Sequence, residues 1–136
     1  QEAAAAGDWK QALAGAAVLN VLMGTQYLFS FYIASLGDVL GAPRAAVAAV
    51  FSLTQLCFTF TSSLGLIALG HLPLRHLAAL SMVLGGGGYF LSSADGLGLW
   101  GLRAGFGVMF GIANGIGHGT ALRVGQSSIF REHRGL

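Results

Sequence analysis

Charge is what this sequence has least of: Asp, Glu, Lys and Arg together make up 9% of its 136 residues. A water-facing domain carries roughly one quarter, so the chain lacks the polar residues needed to coat a soluble surface of its size. Its seven basic residues are scattered singly, with no basic stripe and no interleaved aromatics. That excludes the usual footprint of a nucleic-acid partner. One cysteine, Cys57, excludes an internal disulfide and leaves the redox compartment open. Two prolines, Pro43 and Pro73, leave long segments free of helix breakers.

What is present is apolar length. Four runs contain no charged residue: Gln11 to Gly37, Ala45 to Gly70, Leu77 to Ala94 and Ala104 to Leu122. A helix crossing the hydrocarbon layer needs about 20 apolar residues, and about 18 make a candidate. The chain is therefore read as an all-α membrane protein with four transmembrane helices over about 13–36, 45–69, 76–91 and 99–124. Residues 1–12 form an alanine-rich cytoplasmic leader, and 130–136 form a charged cytoplasmic end. A signal peptide is a poor reading of the first run, which exceeds an ordinary apolar h-region and precedes three more runs.

The breaks set a direction. Lys10, Arg75, Arg131 and Arg134 fall on one side, with His71, His76 and His133, whereas Arg44 and Arg103 fall on the other beside Asp38 and Asp95. By the excess of Lys and Arg the first side is cytoplasmic, which places both ends of the chain there. Trp9 and Trp100 stand at the expected water boundaries.

In the fourth run Gly107, Gly111, Gly115 and Gly119 recur every fourth residue. Small residues at that spacing let two helix backbones approach closely. Arg103, Asn114 and His118 share the face of this ridge, because eleven residues is close to three α-helical turns and four residues is close to one. Ionisable groups inside a membrane are costly and mark candidate pathways. Arg103 is thus a candidate for pairing an anionic group, and His118 for exchanging a proton. The bland alternatives are that Arg103 snorkels to the outer headgroups and that His118 bonds a neighbouring helix. In the first run Gln26 and Tyr27, at mid-membrane, are the candidates for a cavity. Gln55 in the second run is a third, although uncharged polar groups also glue helices together.

Enzyme motifs fail inspection. Gly96-Leu97-Gly98-Leu99-Trp100-Gly101 matches a dinucleotide fingerprint by letter but follows no strand. The histidines lack ligand spacing, no carboxylate lies within any span, and no serine is singled out as a nucleophile. No enzyme activity, metal or cofactor is expected.

Gln26-Tyr27-Leu28-Phe29-Ser30-Phe31-Tyr32 is similar to a first-helix motif of the major facilitator superfamily, in its oxalate/formate and monocarboxylate porter or nodulin-like branch. Phe130-Arg131-Glu132-His133-Arg134-Gly135-Leu136 resembles the ending of that family's glycine-rich fourth helix. The resemblance implies a twelve-helix fold of which this chain supplies the first four spans, its end at Leu136 being read as a cut. It also implies a cytoplasmic gate loop carrying Gly65, His71, Pro73 and Arg75. Gly70 and His71 stand where that family has an acid and an arginine, a departure from a charge-locked gate.

The function expected is secondary active transport of a small organic solute by alternating access, a monocarboxylate being the class the resemblance points to, with a coupled proton. The partners are that solute, the lipid bilayer and the missing C-terminal helices of the same protein. Two alternatives stay open: a non-transporting scaffold acting through the glycine ridge, and a small four-span exporter working as a dimer.

Overall fold

A computed structural model of the chain describes residues 2–65, 67 and 71–126, all of the regular structure among them helical. The chain forms four rods. The first comprises α1 (Glu2–Gly24), a 3-10 turn (Thr25–Leu28) and α2 (Phe29–Leu40). The second is α3 (Arg44–Phe60), prolonged by a π turn (Thr61–Gly65). The third is α4 (Leu74–Ser92). The fourth comprises α5 (Gly98–Leu102), a π segment (Arg103–Phe110) and α6 (Gly111–Gln126).

Helix ends follow local chemistry and differ in places from the sequence expectation. The first rod begins at Glu2, because the alanine-rich leader is built from the best helix former. It also runs on to Leu40 rather than stopping near Leu36. Gly37 does not break it; the stop comes at Gly41, whose φ of 59° is the left-handed conformation that side chains disfavour. Pro43 and Pro73 then start α3 and α4, their carbonyls accepting the first amide bonds of the new helices. Gly85 to Gly88 lie within α4 without interrupting it.

Among the described residues two helical stretches are long and apolar enough to cross a membrane, Leu13–Leu40 and Arg44–Leu64. Their apolar windows are only 11% and 17% buried. Core helices of a soluble protein would be mostly buried, and these apolar faces are not. Val21, Phe31, Val39 and Ile67 are each more than 70% exposed. The third and fourth rods do not meet the same measure; Arg75 and His76 lie in the third, Arg103, Asn114 and His118 in the fourth, and both are rich in glycine.

The fourth rod occupies the centre, buried on almost every side from Gly101 to Ala121, and the other three surround it. One core cluster gathers Phe29, Val47, Val50, Leu102, Phe106 and Phe110. Within it Phe29 and Phe106 stack at 4.7 Å, and Phe106 and Phe110 at 4.9 Å. Such pairs add about 1 kcal/mol beyond their burial.

Glycine explains why so many neighbours fit around one rod. A Cβ at Gly107 would meet Leu53, one at Gly111 would meet Cys57 and Thr54, and one at Gly115 would meet Thr61, Phe58 and Ser62. That ridge therefore seats the second rod. A second set, absent from the sequence reading, serves the other neighbours: Gly105 closes on Gly88 and Ser92 of α4, and Gly117 closes on Met23 of α1.

Side-chain hydroxyls tie the rods together. Thr54 Oγ1 lies 3.0 Å from the Val50 carbonyl and 3.2 Å from the Phe106 carbonyl, its single proton shared between them. Ser81 Oγ donates to the Ala113 carbonyl at 2.8 Å. Each such inter-helix bond contributes roughly 1 kcal/mol or less in a membrane.

Candidate functional site

At mid-length of the first rod the helix tightens into the 3-10 turn Thr25–Leu28, with no side-chain cap to explain it. A 3-10 stretch within a long helix is a common place for a hinge. The turn points Gln26 inward, 4% exposed, while Tyr27 is 61% exposed. Adjacent residues on a 3-10 turn lie about 120° apart, so the two face different sides of the rod.

Gln26 meets Asn114 of α6, which is 1% exposed. Asn114 Nδ2 donates to Gln26 Oε1 at 2.6 Å, with the Met23 carbonyl at 3.5 Å as a second acceptor. Both acceptors lie on the amide's nitrogen side, which fixes the orientation of the group. Asn114 Oδ1 is then left buried with no hydrogen-bond partner. An orphaned buried acceptor costs roughly 1–3 kcal/mol, and few are retained in a folded protein.

A cavity of about 300 Å³ adjoins this pair between the first, third and fourth rods. Leu19, Leu22, Met23, Met82 and Phe110 supply its apolar wall, and Thr25, Ser81, Tyr89 and Asn114 its polar points. Thr25 Oγ1 and Tyr89 OH stand 3.3 Å apart. Larger grooves continue it both ways: one of about 670 Å³ toward Gly15 and Arg75, and one of about 360 Å³ toward Leu36 and Ser92. They share lining residues with it, so a continuous cleft follows the gap between the first and third rods.

The remaining candidates do not converge on Asn114. Gln55 is half-buried, and its Oε1 also lacks a partner. The half-buried ring of His118 packs at a tilt against Phe58, with centroids 5.6 Å apart. The Arg103 guanidinium lies over the Trp100 ring at 5.3 Å, a cation–π contact within its own rod. Arg103 precedes Asn114 by eleven residues, most of them in the π segment, and so stands at a different level of the rod. The π segment starting at Arg103 also turns less per residue than an α-helix, so the even period that aligned the two does not hold.

Gly119 is buried with the rest of the central rod. Of the expected gate residues, Gly65 closes the π turn, Pro73 caps α4, and His71 and Arg75 are exposed, with Arg75 lining the groove of about 670 Å³. The charged end 130–136 lies outside the described residues. No group of His, Cys, Asp or Glu suited to a metal occurs among the described residues.

Met23, Thr25, Ser81 and Tyr89 belong to the site but were not singled out from sequence. Ser81, Gly85 and Gly88 share one face of α4 at helical spacing, and that small-residue face was the available signal. No family model, curated protein or solved structure matches the chain.

Proposed function

We propose that this chain forms part of the path by which a small organic solute crosses a membrane, by alternating access, as a secondary active transporter. The observation carrying the reading is the buried Gln26–Asn114 pair beside a cavity, with one Asn114 acceptor unpaired. A polar pair inside an apolar bundle is expensive unless it meets a polar guest or tethers a moving joint. The 3-10 turn at Gln26 supplies such a joint. The glycine contacts supply smooth surfaces along which the central rod can rock.

In this reading all four rods span the bilayer, and both ends of the chain face the cytoplasm. Further helices of the same protein complete a twelve-helix fold of the major facilitator type. Arg103, if it meets an anionic solute such as a monocarboxylate, does so at a different level from Asn114 and after leaving Trp100. His118 is the candidate for proton coupling.

A scaffold acting through Gly107, Gly111 and Gly115 fits less well, because the second rod already occupies that ridge. The test is flux through proteoliposomes of the full-length protein. Asn114→Leu and His118→Gln should lower solute uptake at least tenfold while leaving insertion unchanged. Flux no greater than in protein-free vesicles would end the proposal.

A further inference from the structure

Among the described residues, the lining of the cavity between the first, third and fourth rods holds no charged side chain. Arg103 is engaged with Trp100, and Arg75 lines a separate groove further along the cleft. An ion entering this cavity would lose its hydration shell with no opposite charge to meet, a cost of several kcal/mol that no contact there offsets. The polar points are instead neutral. Ser81 spends its proton on the Ala113 carbonyl, and the Thr25 hydroxyl lies 2.7 Å from the Leu22 carbonyl. What is left over at Asn114 is an acceptor, Oδ1.

From this geometry we infer that the cavity takes a small uncharged solute that donates a hydrogen bond, with Asn114 Oδ1 as its acceptor. The inference rests on the transport reading for its biological sense and names that site's substrate class. The volume, about 300 Å³, leaves room for a small organic solute beside Asn114. The apolar wall built by Leu19, Leu22, Met82 and Phe110 calls for a hydrocarbon body on the solute.

Asn114 lines the cavity, yet its Oδ1 has no contact with free volume. Binding therefore requires a side chain to move. Met23 is a flexible neighbour of the cavity: it lines it, packs onto Gly117 one turn from Asn114, and is unbranched, with three rotatable bonds.

Four probes of matched size test this on the full-length protein in nanodiscs: butyramide, its isomer N,N-dimethylacetamide, butyrate and butylammonium. Binding is read by saturation-transfer NMR, and uptake is measured separately in proteoliposomes. Butyramide should bind at least tenfold more tightly than the donor-free isomer and than either ion, and Asn114→Leu should erase that preference. The wild-type comparison between the two isomers needs no variant, so it stands even if Asn114→Leu misfolds. Equal binding of the isomers, a preference for butyrate or butylammonium, or no binding of any probe overturns the inference. Selective binding of butyramide without flux keeps the site and refutes transport.

Discussion

Gly115→Ala is the sharpest perturbation of the packing. The added Cβ would sit 2.6 Å from Thr61 Cβ, 2.9 Å from the Phe58 carbonyl oxygen and 2.9 Å from the Ser62 amide nitrogen. Ordinary contact begins at 3.4 Å, so the second rod would have to retreat by about 0.8 Å, the difference between 3.4 and 2.6 Å. Two of the three obstructing atoms are backbone and cannot rotate aside. Overpacking of this kind costs roughly 1–3 kcal/mol. The opposing gain in helix propensity, up to about 1 kcal/mol measured in water, is smaller. Gly85→Ala is the internal control: its Cβ would meet Ala113 Cβ at 3.6 Å, an ordinary contact. Thermal unfolding of the purified full-length protein in detergent, followed by fluorescence-detected size exclusion, should place Gly115→Ala below the wild type. Gly85→Ala should fall at or above it. Equal stability of the two variants would refute the assignment of the Gly107, Gly111 and Gly115 ridge to the second rod.

Two further outcomes can be checked in the same assay. Gln26→Leu strands the Asn114 amide and should cost about 1–3 kcal/mol, whereas Gln26→Leu with Asn114→Leu should cost less than the two single changes added, since neither polar group is then left alone. Thr54→Val keeps the shape but removes the hydroxyl shared with the Phe106 carbonyl, and should destabilise by about 1 kcal/mol; no change would mean that this carbonyl finds another donor.

Much of the helical layout was legible in the sequence because it depends on local properties. Pro43 marks the start of the second rod's helix, since a residue without an amide proton is tolerated there, and Pro73, read from sequence as part of a loop, plays the same part for α4. Gly37 and Gly41 were indistinguishable by letter. Only backbone geometry separates the glycine packed in the helix from the left-handed one that ends it. Gln26 and Asn114 were each recognisable as polar residues in apolar surroundings. Their partnership was not, because 88 residues separate them and nothing in either segment encodes the other.

By itself, then, the sequence determined that this chain is helical and that it holds stretches long and apolar enough to cross a membrane, both of which follow from composition within a few turns. The tertiary structure decided which faces meet. It made the fourth rod the centre, distributed two sets of glycines to different neighbours, and joined Gln26 to Asn114. It also interposed a π segment between Arg103 and Asn114, a change of helical phase that a fixed 3.6-residue period cannot represent.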